Sequence, residues 1–267
     1  MKIGIAGMGA IGLRVAQELD RGGIPGCELA GISARNADRA AEANATLSKP
    51  APVYALSEIA AHCDIIIETL PPQRFMDLAT PVVQAGKELV VLSASQLLGQ
   101  DALFDLAEET GARITVPSGA MLGLDAIKGA AVGELHSVVI ETRKPVAGLA
   151  KAPYVIDNKI DLGNLSEPVL VLGGAVTEVA KVFPANVNVA VAVSLAGFGP
   201  DRTRMEVWAD PALDKNRHTV RVTSDSSDFE MTIQNRPSDE NPATGKITAL
   251  SVIALLRQKT AVLRVGT

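Results

Sequence analysis

The chain opens "KIGIAGMGAIGLRVAQELDR" over residues 2–21, and no other stretch narrows the possible folds so far. A short apolar strand runs straight into Gly7-x-Gly9-x-x-Gly12, and a helical pattern follows without a gap. Each glycine has a mechanical reason: Gly7 permits a tight turn, Gly9 lets a diphosphate approach the backbone, and Gly12 lets the helix pack on its strand. The first helical N–H groups then point at the anion. Gly7, Gly9, Ala10, Ile11 and Gly12 are therefore the candidate contacts of a bound dinucleotide.

The rest of the first half alternates strand and helix. Strands are expected at "CELAGIS", "DIIIETL", "ELVVLSA" and "ARITVPS", with a short "PVYA" between the first two. Helices are expected at "ADRAAEANA", "LSEIAAH", "QRFMDLATPVVQAG" and "QDALFDLAEETG". The strands are near-continuous apolar runs, as parallel strands covered on both faces must be. Residues 1–119 thus read as an α/β Rossmann domain, a doubly wound parallel sheet. The second strand ends in "ISARNADR", with no acid at Ser33 or Ala34 to hold the ribose hydroxyls and with Arg35 placed to pair with a 2′-phosphate. NADP is accepted on this reading, alongside NAD. Pro71, just beyond the strand at 64–70, is a candidate wall on the nicotinamide side.

Composition removes several other functions. Aromatic residues make up 3% of the chain and the net charge is −5, which argues against nucleic acid as a partner. The longest apolar run is too short to cross a bilayer, so no membrane is expected. The N-terminus lacks the layout of a signal peptide, and the two cysteines, Cys27 and Cys63, show no ligand spacing. A cytoplasmic protein without a metal site is the expectation.

Past "VPSGAMLGLDAIKG" the pattern changes. A helix is expected over 122–132, then the strand "HSVVIETRKP" ending in Arg143 and Lys144, then a linker rich in Ala, Gly and Pro. Helices "GAVTEVAKVF" and "NVNVAVAVSLAG" follow. Strands "RTRMEVWAD", "HTVRVTS" and "DFEMTIQN" have the alternation of an antiparallel sheet with one wet face. Helix "ATGKITALSVIALLRQ" closes the chain. The expected division is 1–119 for the nucleotide domain, with the final segment 241–267 packed back on it. Residues 120–240 would form a smaller α+β substrate and dimerisation domain, the substrate lying in a cleft between the two.

"NPATGKIT" lacks the first glycine of a phosphate-binding loop, Glu240 standing in its place, and no nucleophile or metal motif is present. Hydride transfer remains, and it needs a proton carrier. Three histidines are available. His62 sits at a helix end and His136 at the start of a strand, both with structural readings, whereas His218 in "NRHTV" stands at a strand entrance.

"VPSGAMLGLDA", "TRKP", "FPANVNVAVAVSLAGFGPDRT", "EVWADP", "NRHTV" and "NPATGKITALSVIALL", taken in order, resemble the L-aspartate dehydrogenase family over nearly the whole chain. The resemblance implies an NAD- or NADP-dependent oxidoreductase acting on CH–NH2. It would interconvert L-aspartate with oxaloacetate and ammonia through iminoaspartate, as a homodimer, in a step able to feed NAD biosynthesis. It also places the catalytic histidine at His218 and cofactor contacts at Asn188 and at Ala120, Met121, Leu122 and Gly123, although Met121-Leu122 departs from the usual family pair. The histidine's ordinary pKa of about 6.5 suits a base near neutrality. A dicarboxylate needs cations or amide donors, for which Arg143, Lys144, Arg202, Lys246, Ser118 and Asn186 are the candidates. The alternatives are a two-lobed NADP oxidoreductase related to homoserine dehydrogenase or dihydrodipicolinate reductase, and a redox sensor that binds NADP without turnover.

Overall fold

The computed structural model describes residues 1–34, 37–184, 187–238 and 245–266. Along the chain the elements are β1 (Lys2–Ala6), α1 (Ala10–Asp20), β2 (Glu28–Ser33), α2 (Ala37–Ala45), α3 (Ile59–His62), β3 (Ile65–Glu68), α4 (Phe75–Gln84), β4 (Glu88–Val91), α5 (Asp101–Thr110) and β5 (Arg113–Thr115). Then come α6 (Leu124–Ala130), β6 (Leu135–Lys144), α7 (Val146–Leu149), α8 (Pro153–Asp157), β7 (Val169–Ala175), α9 (Val176–Val182) and α10 (Asn188–Leu195). The last are β8 (Arg204–Ala209), β9 (Arg217–Ser224), β10 (Asp228–Gln234) and α11 (Lys246–Thr260). Two compact units result, Met1–Gly119 with Ser238–Val265, and Ala120–Pro237 with Gly266 near the chain's end. Among the described residues no helix is long and apolar enough to cross a membrane.

The first unit is built on a parallel sheet in the order β2-β1-β3-β4-β5. Val53 makes a single parallel bridge to Ile32 on the outer side of β2. The strand expected at "PVYA" is thus reduced to one residue, and the order is that of a doubly wound Rossmann sheet. The apolar strands are buried on both faces. Ile66, Leu89 and Val91 pack with Leu78, Val82 and Val83 of α4 and Leu103 of α5. On the other face Ile3, Ile5, Ile67 and Val90 pack with Val15 and Leu19 of α1 and with Val252, Ile253 and Leu256 of α11. Burial of each of these last three side chains contributes about 1.5–3 kcal/mol, which is what returns the far end of the chain to this sheet. Arg257 fastens it to the buried Glu18 at 2.7 Å, and Lys259 to Glu88 at 2.7 Å.

The second unit holds a five-stranded sheet in the order β10-β9-β6-β8-β7. It corrects the antiparallel expectation: β6 and β8 run parallel, and the other neighbours antiparallel. Parallel neighbours need a crossover, and the chain supplies one through the segment expected to be a linker. That segment contains α7, α8 and the edge strand β7, whose Gly173 and Gly174 conceal its strand character in the sequence. The helix expected from residue 122 starts at Leu124, because Gly123 takes a left-handed φ of +70° that no helical residue adopts. Strand alternation divides the sheet cleanly. Val138, Ile140, Val207, Val220 and Val222 turn to one face and are buried, where α10 packs on β6 and α9 on β7 and β8.

Candidate active site

The glycine turn of the first unit is shaped for a diphosphate. Gly7 has φ +105° and its N–H donates to Ser33 O at 2.7 Å, tying the turn to the end of β2. A Cβ on Gly12 would lie 1.9 Å from Gly7 O, so only glycine lets α1 start this close to β1. A Cβ on Gly9 would meet nothing within 4 Å. The fold therefore does not require glycine there, and a ligand approaching the backbone does. Gly9 is extended at the head of α1, which has no side-chain cap, so the N–H groups of its first turn, Ala10 and Ile11 included, are left for an anion.

At the C-terminal ends of β3 and β4, Glu68 is fully buried and gathers the loops around it. Its carboxylate accepts from the N–H of Leu70 at 2.8 Å, Leu92 at 3.2 Å and Ser93 at 2.9 Å, and from Ser93 Oγ at 3.1 Å. Burial pushes its pKa up, against those donors. Pro71 is exposed just beyond it. Ser33 and Ala34 leave the end of β2 without a carboxylate, while Arg35 lies outside the described residues.

The second unit carries the chemistry-bearing cluster. Strand pairing sets Thr142 of β6 directly opposite His218 of β9, and Thr142 Oγ1 lies 3.0 Å from His218 Nδ1. Lys144 is two residues further along the same face of β6, a diagonal neighbour. Both groups are almost wholly buried, His218 at 4% exposure and Lys144 at 5%. The Lys144 ammonium forms no ion pair or hydrogen bond among the described residues; its Nζ lies 5.8 Å from the centre of the Phe183 ring. His218 Nε2 likewise makes no hydrogen bond there. Burial drops the Lys144 pKa from 10.5 to about 8. Burial and the adjacent Lys144 charge drop His218 from 6.5 to about 4. The value near 6.5 expected from the sequence is corrected by this desolvation.

Arg143, next to Lys144 in sequence, turns to the opposite face. There it pairs with the buried Glu141 and Asp210 and lies over the Trp208 ring at 5.3 Å. Arg217 joins Asp210 and Arg221 joins Glu141 on that face. Arg143 is thereby committed to an ion-pair lattice and separated from His218 by the sheet. Arg202 is exposed and stacks on Phe198 at 4.0 Å. Asn188 is exposed at the first turn of α10. Ala120 O accepts from Asn235 Nδ2 at 3.0 Å, Met121 is buried, Leu122 is exposed, and Gly123 precedes α6. In the first unit, Ser118 and Lys246 are exposed, Lys246 opening α11. Asn186 lies outside the described residues.

Sequence reasoning did not find Thr142 or Phe183. For Thr142 the signal is register, its hydroxyl's partner His218 being 76 residues away in the chain. The other histidines are exposed, and His62 stacks on Tyr54 with ring centroids 4.0 Å apart.

A Rossmann unit with its diphosphate turn ready, joined to an α+β unit bearing a buried histidine and lysine, defines a two-unit nicotinamide-dependent oxidoreductase. Known proteins make the assignment narrower. Residues 7–117 match the homoserine dehydrogenase NAD-binding domain, and residues 125–259 match the C-terminal domain of aspartate dehydrogenase. L-aspartate dehydrogenase 3 of Bordetella bronchiseptica is 46% identical over 265 residues, spanning 99% of this chain and 97% of that protein. The L-aspartate dehydrogenase of Bradyrhizobium diazoefficiens is 45% identical over 267 residues, spanning 100% and 94%. The crystal structure of aspartate dehydrogenase from Thermotoga maritima superposes with a TM-score of 0.74 at 25% identity, covering 100% of this chain and 99% of that one. The chain belongs to the L-aspartate dehydrogenase family.

Proposed function

We propose that this chain catalyses the NAD- or NADP-dependent interconversion of L-aspartate with oxaloacetate and ammonium, through iminoaspartate. In balance, L-aspartate, water and the oxidised cofactor give oxaloacetate, ammonium, the reduced cofactor and one proton. When bound, the cofactor would supply hydride acceptance at Cα of aspartate and, in reverse, hydride donation at the imine carbon. Gly7, Gly9, Ala10, Ile11 and Gly12 hold its diphosphate on this reading. Arg35 and Pro71 are carried forward as further contacts on their places beyond the sheet strands, and residues 120–123 and Asn188 on family likeness.

The observation that carries the reading is the state of His218. It is buried and neutral at neutral pH, with Nδ1 against Thr142 Oγ1 and Nε2 without a partner among the described residues. Nε2 is thus the atom that takes a proton from the substrate ammonium, leaving the amine able to lose hydride. It then takes a second proton from the water that adds to the imine carbon, once the first has been passed on. In reverse it protonates the departing hydroxyl. Lys144, on the same sheet face, is the cation best placed to serve this chemistry. Arg143, across the sheet, orders the strands instead.

The test is nicotinamide absorbance with oxaloacetate and ammonium, first with NADPH and then with NADH. Turnover by the wild type and its loss in His218→Ala support the reading. Absence of turnover by the wild type with both cofactors overturns it. A homodimer, on family likeness, and a cytoplasmic location are part of the proposal, and sedimentation of the purified protein checks the dimer.

A further inference from the structure

We propose that Lys144 seats one carboxylate of the dicarboxylate substrate, and that filling this seat is what arms His218 as a base. The inference rests on the aspartate reading above and adds a named receptor and a coupling between substrate and base.

A lysine that is 5% exposed, with an ammonium that lacks a carboxylate partner among the described residues, is costly to keep charged, because most of its hydration is lost. The nearby acids do not offset it. Glu141 and Asp210 lie across the sheet, each already held by two arginines. The Phe183 ring supplies only a weak attraction at 5.8 Å. A buried cation left in this state, one face away from a lattice of satisfied ion pairs, is matched to an anion from outside.

The same charge acts on His218 across the strand pair and, among the described residues, no other charge faces the ring. Directly across from His218 are the uncharged Thr142 and Ile233. The β8 residues on this face, Val207 and Ala209, are apolar. The packed helices contribute buried Val176 and Val179 from α9 and Ala190, Val191 and Val193 from α10. Their charged residues, Glu178 and Lys181, are exposed, as are Asp125 and Lys128 of α6. With no ligand, His218 therefore faces, among the described residues, a lone positive charge in an apolar setting and holds a proton poorly. A carboxylate on Lys144 cancels that charge and favours the protonated imidazole, so proton uptake follows substrate binding. The base is strong only when there is something to deprotonate.

Succinate tests this without turnover, since it has the two carboxylates of the substrate and neither amine nor carbonyl. The His218 ring is titrated by NMR with and without saturating succinate, in wild type and in Lys144→Met. The proposal expects succinate to raise the wild-type His218 midpoint from about 4 by roughly one pH unit or more. In Lys144→Met the midpoint is already raised without succinate and is unmoved by it. Succinate affinity there falls by about 30-fold, the loss expected of a buried charge-assisted contact. Equal succinate affinity in wild type and variant overturns the proposal, as does a wild-type midpoint that ignores succinate or a wild type that does not bind it. Should the variant fail to fold, the wild-type titration alone decides. Oxaloacetate turnover is measured in parallel. Its absence beside an intact succinate response sinks the reaction and leaves Lys144 as the seat, and turnover beside a silent succinate response does the reverse.

Discussion

Thr142 Oγ1 and His218 Nδ1 lie 3.0 Å apart across directly paired residues of β6 and β9. The contact fixes the ring in its plane and leaves Nε2 as the working nitrogen. Thr142→Val keeps the shape and removes the partner. Activity is expected to fall by about tenfold or more, as for other lost orienting groups of a general base, with cofactor affinity unchanged. The unpaired ring nitrogen should cost about 1–3 kcal/mol of stability. Thr142→Ser should restore both. Steady-state kinetics and thermal melts of the two variants check this; a fully active valine variant excludes the orienting role.

His218 makes the protein sensitive to acid. Its folded pKa of about 4 lies below the ordinary 6.5, so between those values the unfolded chain binds a proton that the native one does not. Stability is complete above 6.5, declines as pH falls towards 4, and levels off below. The total loss is on the order of 3 kcal/mol. His218→Gln should lack this part of the acid slope. Urea unfolding of both proteins across that range would show it, and parallel curves would contradict it.

Lys144 acts at the alkaline end. Its pKa falls from 10.5 unfolded to about 8 folded, so stability rises with pH between those values and the burial cost is present in full below 8. Lys144→Met should therefore be more stable than wild type at neutral pH, by up to about 3 kcal/mol. That advantage should shrink as pH rises through the window. A less stable methionine variant would mean that the ammonium has a partner.

Much of the first unit was legible in the sequence. The glycine turn states its own geometry, and isoleucine and valine runs announce strands covered on both faces. The second unit was harder, because its meaning lies in register. Arg143 and Lys144 are adjacent and equally cationic on paper, yet the pleat sends one into an ion-pair lattice and the other beside His218. Thr142 had no local signal at all. The glycines of β7 hid a strand, and the parallel pairing of β6 with β8 depends on a crossover no local pattern encodes. His218 was found by its setting in the chain, but its proton affinity was misjudged, since burial is a property of the fold.

The glycine turn separates folding from binding. A Cβ at Gly12 would sit 1.9 Å from Gly7 O, so Gly12→Ala should lose about 1–3 kcal/mol of stability by overpacking. Gly9→Ala meets only open space. It should melt like wild type and bind the reduced cofactor about tenfold more weakly, by the same overpacking applied to the ligand. Thermal melts and fluorescence titration with NADPH compare them. Equal cofactor affinity in Gly9→Ala and wild type would remove the diphosphate from this turn.

The most direct test of the account is single-turnover oxidation of the reduced cofactor with oxaloacetate and ammonium by wild type and by His218→Ala, each first shown to bind the cofactor. The account predicts rapid oxidation by the wild type and loss of the chemical step in the variant, with cofactor affinity retained. A variant that oxidises the cofactor at the wild-type rate would contradict the assignment of the proton to His218.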